Sequence, residues 1–248
     1  MLRKNWELIN MDLKNLITIV IPCKNEKDVI LKTLDLLNYQ RNVTGVNVIV
    51  CDSSNDSVTY ESLIDRLTHN KDVFDLIIID GGLPGIARNK GFKIVKTPYV
   101  LFMDSDVFLL DTKILTQSVK KIHKNHLDLV TTKFRTDNGE YNYIYKSFDI
   151  IQSLSKWITP FCLGGFMLIR SETFKLIGGF DEDVKVAEDY ILSKQIKPNK
   201  FGRINNIVYT PPRRFKNKGV MYMIKLMINS LFNHNNKSYF KNDKGYWK

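Results

Sequence analysis

Short apolar runs alternate with amphipathic stretches along the first hundred residues. The runs are rich in Val, Ile and Leu, and they occupy positions 16–21, 46–51, 76–79 and 99–103. Between them, apolar residues recur every three or four positions, which is typical of one buried helix face. Strands that alternate with helices through short connections predict an α/β fold with a mostly parallel sheet.

The rhythm changes after residue 106 while the chain remains rich in apolar positions. The pattern predicts a long amphipathic helix that leads to Trp157, a short helix capped by Ser171, and a late strand. No repeat or linker divides the chain, so we expect a single domain over residues 1–219, followed by a basic amphipathic helix and tail over 220–248. The predicted elements of this part are helices at 115–122, 144–157 and 172–177, strands at 127–133, 166–170 and 204–209, and a C-terminal helix at 220–232.

The formal net charge of +11 is concentrated near the end of the chain. Residues 211–248 contain nine Lys or Arg side chains and a single acid, Asp243. Such a segment binds nucleic acid, anionic lipid or a phosphorylated substrate, or it is simply a solvated end. The sequence lacks zinc, helix-turn-helix and aromatic RNA-binding signatures, so we expect no nucleic-acid partner.

Other features indicate where the protein resides. No apolar run approaches the ~20 residues of a membrane-spanning helix, and no apolar segment typical of a secretory signal follows the basic start. Cys23, Cys51 and Cys162 match no metal-ligand spacing and are expected to be buried thiols. These features predict a cytoplasmic protein. The helix at 220–232 either rests on an anionic membrane surface or packs against the domain.

Two carboxylates, Asp104 and Asp106, follow the apolar strand at 99–103. In open α/β sheets, ligands bind outside the carboxyl ends of the strands. Carboxylates separated by one residue can reach a single hard cation such as Mg²⁺ or Mn²⁺. The alternative is a strand that ends in a solvated acidic turn.

Several motifs occur together in a characteristic order, and through them the chain resembles the family-2 glycosyltransferases over about residues 17–219. This resemblance implies a GT-A type fold, with a Rossmann-like, mostly parallel central sheet flanked by helices. It also implies a nucleotide-binding half at about 16–106 and an acceptor and catalytic half at about 107–219. The motifs are Ile-Pro-Cys-Lys-Asn-Glu from Ile21, Cys-Asp-Ser-Ser-Asn-Asp from Cys51, Gly-Ile-Ala-Arg-Asn-Lys-Gly from Gly85, Asp104-Ser105-Asp106, Gly164-Gly165-Phe166, Gly-Gly-Phe-Asp-Glu from Gly178, and Ala187-Glu188-Asp189.

The resemblance implies an enzyme that transfers a sugar from a nucleoside-diphosphate sugar, favouring UDP, to an acceptor hydroxyl with inversion. The acceptor would be a glycan, or a lipid-linked or protein-linked group. Mn²⁺ or Mg²⁺ would be the cofactor, bound by Asp106 with Asp104 at the ribose and metal. Asp189 would be the general base, with Glu188 as the alternative. Because adjacent helical residues point about 100° apart, only one of the two is expected to face the sugar.

Further site residues follow from the same resemblance, each with a structural alternative. Asp52 would recognise the base or else hold its own loop, where Asp56 is the better helix cap. Arg88 would lie near the base and diphosphate or else be a surface charge, and Glu26 would line the nucleotide pocket or else only open a helix. Trp157 would stack on a sugar or belong to the core. The remaining residues are Pro22 and Asn25 at the nucleotide, Gly164 and Gly165 at the donor sugar or acceptor or in a plain turn, and Arg213 and Arg214 at the diphosphate or an acceptor phosphate.

Two departures from the family pattern limit the prediction. The usual pair of acids followed by Gly-Ser is replaced by Cys51-Asp52-Ser53-Ser54, which leaves the base identity open. A Gln-x-x-Arg-Trp motif is absent, which argues against a processive synthase. The alternatives are an inactive binding module of the same fold and a sugar nucleotidyltransferase. The second would need a Gly-rich phosphate loop after the first strand, where residues 22–26 contain no glycine.

Overall fold

The computed structural model describes residues 12–69, 71–233 and 236–242. Within these residues one seven-stranded sheet has the order β3-β2-β1-β4-β6-β5-β7. All neighbouring strands are parallel except β6, which runs antiparallel to β4 and β5. The mostly parallel sheet confirms the predicted fold class. The strands are β1 (Ile17–Cys23), β2 (Asn47–Asp52), β3 (Asp75–Asp80), β4 (Tyr99–Met103), β5 (Leu129–Thr136), β6 (Phe166–Arg170) and β7 (Phe201–Thr210).

Helices cover both faces of the sheet, and most lie where the apolar periodicity predicts them. Asp56 is the N-cap of α2, as expected, since its carboxylate accepts a hydrogen bond from Thr59 N at 2.9 Å. The described helices are α1 (Lys27–Asn38), α2 (Ser57–Thr68), α3 (Pro84–Phe92), α4 (Ile114–Lys124), α5 (Asn142–Ile158), α6 (Ser171–Leu176), α7 (Glu188–Ser193), α8 (Arg213–Lys218), α9 (Val220–Phe232) and α10 (Lys237–Phe240).

The predicted capping role of Ser171 is wrong. Ser171 is the first residue of α6, and its hydroxyl donates to the Thr97 carbonyl oxygen at 2.7 Å. The N-cap is Arg170, which makes no side-chain capping bond. The serine therefore ties the start of α6 to the loop before β4.

The apolar runs of the sequence are buried because the central strands have a core on each side. On β1, Ile19 and Ile21 face one apolar cluster and Val20 faces the other. On β4, Phe102 lies in the second cluster, where its ring packs against Phe174 and Phe180. This burial on both faces explains why β4 is continuously apolar. The buried strand ends at Met103, and the two aspartates follow directly after it.

The three cysteines are buried and free, as expected. Burial raises the pKa of the Cys51 thiol to about 12, and it also raises the pKa values of Cys23 and Cys162. Thiols with raised pKa values hold their proton at neutral pH and are poor nucleophiles.

Helix α3 lies unusually close to the sheet at Gly91. A β-carbon at this position would be 2.5 Å from Val20 Cγ1 and 2.9 Å from Cys51 Sγ. Glycine is therefore required for the distance between α3 and the first two strands. The same helix carries Arg88, so this packing also sets the depth of that side chain.

We expect Gly91→Ala to lower the free energy of unfolding by about 1–3 kcal/mol, because the added methyl group overpacks a close helix–sheet contact. Urea denaturation measures the change. Gly85→Ala is the matched control on the same helix, since its β-carbon would lie at an ordinary 3.5 Å from Phe180 Cβ. Equal stabilities for the two variants would contradict this account of α3.

Candidate active site

A cavity of about 700 Å³ lies at the carboxyl ends of β1, β2 and β4. The chain runs outward from β1 to β2 and β3 and then returns to place β4 on the other side of β1. Ligands of open α/β sheets bind at such a reversal of strand order. The volume is in the usual range for a small-molecule site, about 300–1,000 Å³.

Most residues predicted for the site line this cavity, and they come from both halves of the chain. The N-terminal half contributes the loop after β1, helix α3 and the acidic turn after β4. The other half contributes the glycine pair before β6, the acidic pair of α7 and part of α8. The predicted residues in the lining are Pro22, Asn25, Glu26, Arg88, Asp104, Asp106, Gly164, Gly165, Glu188, Asp189 and Arg214.

Arg88 connects the two acidic motifs across the cavity wall. Its side chain is fully buried, with Nη2 at 2.5 Å from Asp104 Oδ1 and Nη1 at 2.7 Å from Glu188 Oε1. Burial lowers the pKa of Arg88, but Asp104 and Glu188 more than offset this effect and leave the pKa above its usual value. Arg88 is therefore a buried, permanently charged link and not a surface charge.

Asp104 and Asp106 both face the cavity from the turn after β4. Burial and the charge of Asp104 raise the pKa of Asp106, while Arg214 and Arg213 oppose this shift. Within the described residues, no group of three or more His, Cys, Asp or Glu side chains could hold a metal ion. Two carboxylates fit Mg²⁺ or Mn²⁺ when a phosphate ligand and water complete the coordination shell. The residues present therefore fit a divalent cation that arrives with a diphosphate.

Glu26 supports this turn from the start of α1. Its Oε2 atom accepts a hydrogen bond from the Ser105 hydroxyl, and the Ser105 carbonyl oxygen accepts one from Thr33 at 2.6 Å. The sequence analysis assigned no role to Ser105, although its position between two acids indicated a hydroxyl group at the site. Glu26 is thus more than a helix-start acid, because it holds the acidic turn in place.

Asn25 and Asp52 organise the loop after β2. Asn25 adopts a left-handed conformation with φ of 53°, and its Oδ1 atom accepts from Asn55 N at 2.8 Å. Asp52 Oδ1 accepts from the Ser54 hydroxyl at 2.6 Å. The neighbouring Ser53, rather than Asp52, is among the residues that line the cavity. The contacts of Asp52 are those of the loop-holding alternative, and recognition of a base by Asp52 stays a prediction.

The acidic pair begins α7 directly after Ala187, whose φ of 55° is left-handed. Asp189 Oδ2 accepts from Gly164 N at 2.6 Å, and Oδ1 accepts from Tyr190 N at 2.7 Å. Burial, and then the charge of Glu188, raise the pKa of Asp189 to about 7. Both acids line the cavity, and the expectation that only one of them faces the sugar stays a prediction. Their environments nevertheless differ, since Glu188 is paired with Arg88.

The glycine pair is required by the protein's own packing. A β-carbon on Gly164 would lie 3.3 Å from both Arg88 Nη2 and Asp189 Oδ2. A β-carbon on Gly165 would lie 2.9 Å from Phe134 Cε1 and Val107 Cγ2. Close approach of a sugar to these glycines stays a prediction.

Part of the cavity lining is an apolar wall. Phe148 on α5, Phe161 after it, and Met223 and Leu226 on α9 contribute to this wall. Helix α9 therefore packs on the domain, which is the alternative to membrane contact that the sequence left open. In the part of the chain that the structure describes, no helix combines the length and hydrophobicity needed to cross a bilayer.

The last predicted residues are Arg213, Arg214 and Trp157. Arg213, at the start of α8, donates from Nη2 to Glu26 Oε1 at 2.6 Å and to Asp106 Oδ2 at 2.7 Å. Its neighbour Arg214 is in the cavity lining. Trp157 belongs to α5, but its side chain lies outside the described part of the structure.

We expect Arg88→Met to lower the free energy of unfolding by about 3 kcal/mol, because it leaves two carboxylates without their buried partner. Chemical denaturation monitored by circular dichroism measures this loss. Lys93→Met, an exposed position at the end of the same helix, is the control and should change stability by less than about 0.5 kcal/mol. A similar small effect for Arg88→Met would show that the buried link is not needed for folding.

Two solved structures illustrate the similarity of fold. The mannosyltransferase PcManGT from Pyrobaculum calidifontis, in complex with GDP-Man and Mn²⁺, has a TM-score of 0.63 and 18% identity, covering 78% of this chain and 56% of that one. S. aureus TarS 1-349 in complex with UDP-GlcNAc has a TM-score of 0.61 and 23% identity, covering 79% and 58%. At these identities the similarity establishes the GT-A fold alone.

Sequence comparison gives the family. A relative, the poly(ribitol-phosphate) beta-glucosyltransferase of Bacillus spizizenii, is 26% identical over 228 residues, which cover 80% of this chain and 35% of that protein. The chain therefore spans about a third of the length of this curated relative. The model of the family described as glycosyl transferase family 2 matches residues 18–178. The chain belongs to glycosyl transferase family 2.

Proposed function

We propose that the protein transfers a hexosyl or N-acetylhexosaminyl group from a UDP-sugar to an acceptor hydroxyl, with inversion and with a divalent cation. The observation that carries this proposal is the position of Asp189, a carboxylate with a pKa raised to about 7, in the same cavity as Asp104 and Asp106. Membership of the family supports sugar transfer. The UDP-GlcNAc in the S. aureus structure and the glucosyltransferase activity named for the Bacillus relative support the choice of donor.

The donor diphosphate would lie at the acidic turn after β4. Asp104 and Asp106 would hold Mn²⁺ or Mg²⁺ there, and the bound cation would neutralise charge on the leaving diphosphate. Arg214 also lines the cavity, and its positive charge opposes the rise in the pKa of Asp106. Pro22 and Ser53 also line the cavity and would lie beside the nucleoside. Asp52, next to Ser53, remains the proposed acceptor of a hydrogen bond from the base.

Asp189 would act as the general base on the acceptor. Backbone N–H groups of Gly164 and Tyr190 hold its two oxygens, and each oxygen keeps a second lone pair. The carboxylate would take the proton of the acceptor hydroxyl while the hydroxyl oxygen attacks the anomeric carbon, on the face opposite the leaving diphosphate. Glu188 is less suited to this role, because Arg88 engages its carboxylate at 2.7 Å.

The apolar wall would bind the acceptor. Phe148, Phe161 and Tyr190 offer aromatic side chains beside Asp189, and such faces suit the C–H face of a sugar ring. The cavity thus has a charged end for the donor and an apolar side for the acceptor. A glycan, or a lipid-linked or protein-linked sugar, remains the proposed acceptor class.

We expect wild-type protein to hydrolyse one donor from a panel of UDP-, GDP- and dTDP-sugars, with a requirement for Mn²⁺ or Mg²⁺ that EDTA abolishes. Asp106→Asn should lower this rate by roughly a hundredfold, because it removes a charged ligand where negative charge develops. Chromatographic detection of released nucleotide measures both effects. Asp183→Asn, an exposed carboxylate paired with Lys241, is the control and should keep the wild-type rate. A rate insensitive to EDTA and to Asp106→Asn would contradict the proposal.

The pH dependence of donor hydrolysis tests the general base. The base acts as a carboxylate, so kcat/KM should rise with pH, reach half its maximum near the Asp189 pKa of about 7 and level off above it. Asp189→Asn should lower kcat by roughly a hundredfold to ten-thousandfold. Glu188→Gln should retain activity and move the midpoint to lower pH, since the charge of Glu188 raises the pKa of Asp189.

The two variants discriminate between the acids. Loss of activity in Glu188→Gln with retention in Asp189→Asn would assign the base to Glu188 instead. Thermal denaturation checks that each variant is folded, and we expect Glu188→Gln to fold because the new amide still offers an oxygen to Arg88.

A further inference from the structure

Arg213 occupies the position of a cation between two carboxylates of the proposed donor site. One nitrogen, Nη2, lies 2.6 Å from Glu26 Oε1 and 2.7 Å from Asp106 Oδ2. These acids follow different strands, and the negative charge of Asp104 also acts on Asp106. Arg213 therefore offsets the charge of Glu26 and Asp106, while Asp104 is paired with Arg88 and Arg214 adds further positive charge beside Asp106.

Two features make this contact replaceable. The Arg213 side chain is 43% exposed, whereas the side chains of Glu26 and Asp106 are only 19% and 15% exposed. Glu26 would also keep the hydrogen bond from the Ser105 hydroxyl if the arginine left. Asp106, in contrast, would lose the ion pair at its Oδ2 atom, and a divalent cation at that oxygen would restore the lost positive charge.

We propose that Arg213 is an exchangeable counter-ion: it neutralises Glu26 and Asp106 before the donor binds, gives Asp106 up to the divalent cation, and then pairs with the donor diphosphate. A guanidinium group suits both partners, since it binds carboxylate and phosphate oxygens with charge-assisted hydrogen bonds. The inference rests on the proposed function. It gives Arg213 a role before and after donor binding. Loss of its charge should therefore strengthen the binding of the metal ion alone and weaken the binding of the nucleotide.

The first arm of the test uses Mn²⁺ alone, with water-proton relaxation to measure binding over a wide affinity range. Arg213→Gln should bind Mn²⁺ up to about fivefold more tightly than wild type, because the competing half-exposed ion pair is gone. Lys216→Gln is the matched control, with the same loss of charge on the same helix but a partner, Glu140, away from Asp106. It should leave Mn²⁺ affinity unchanged.

The second arm measures UDP binding by calorimetry at saturating Mn²⁺. Arg213→Gln should bind UDP about tenfold more weakly, because a charge-assisted contact to the diphosphate is lost. Lys216→Gln should again match wild type. Thermal denaturation confirms that each variant is folded.

Opposite shifts in the two arms, confined to Arg213→Gln, would support the exchange. Unchanged or weaker binding of Mn²⁺ alone by Arg213→Gln, or an unchanged UDP affinity of this variant, would overturn the exchange. The proposed function would stand in that case as long as the wild type binds UDP. Absence of UDP binding by wild type would overturn both.

Discussion

The site depends on one buried charge, the guanidinium group of Arg88. It joins Asp104, which follows β4, to Glu188 at the start of α7. Glu188 lies one hundred positions after Arg88 along the chain. A buried arginine is stable only with partners, and buried carboxylates need the arginine in turn. The acidic turn after β4 and the acidic pair of α7 are therefore held in one cavity by a mutual electrostatic requirement.

Close packing makes this arrangement possible. Gly91 lets α3 approach the first two strands, and Gly164 leaves room for both Arg88 and the Asp189 carboxylate. Ala187 and Asn25 adopt left-handed backbone conformations, which cost free energy in residues other than glycine and persist where the surroundings hold them. Both residues border the cavity. The three other non-glycine residues with positive φ in the described part of the chain, Asn42, His126 and Tyr141, do not line it.

Local signals predicted what local physics determines. The apolar run of β4 indicated its bounds correctly, and Asp56 was recognised as a cap, because burial on two faces and capping both act over a few residues. The acidic motifs and Arg88 were identified through the family pattern. The depth of Arg88 and its pairing with Glu188 were not foreseen, because they depend on how α3 and α7 meet in space. The same reason explains the missed role of Ser105 and the contribution of α9 to the cavity wall.

A crystal structure of the protein with UDP and Mn²⁺ tests the central claim most directly. The account predicts an anomalous manganese peak beside Asp106, the nucleotide along the carboxyl ends of β1 and β4, and Arg88 still bonded to Asp104 and Glu188. Manganese or nucleotide outside this cavity would contradict the assignment of the site. Arg88 turned away from Glu188 would contradict its role as the link between the two halves.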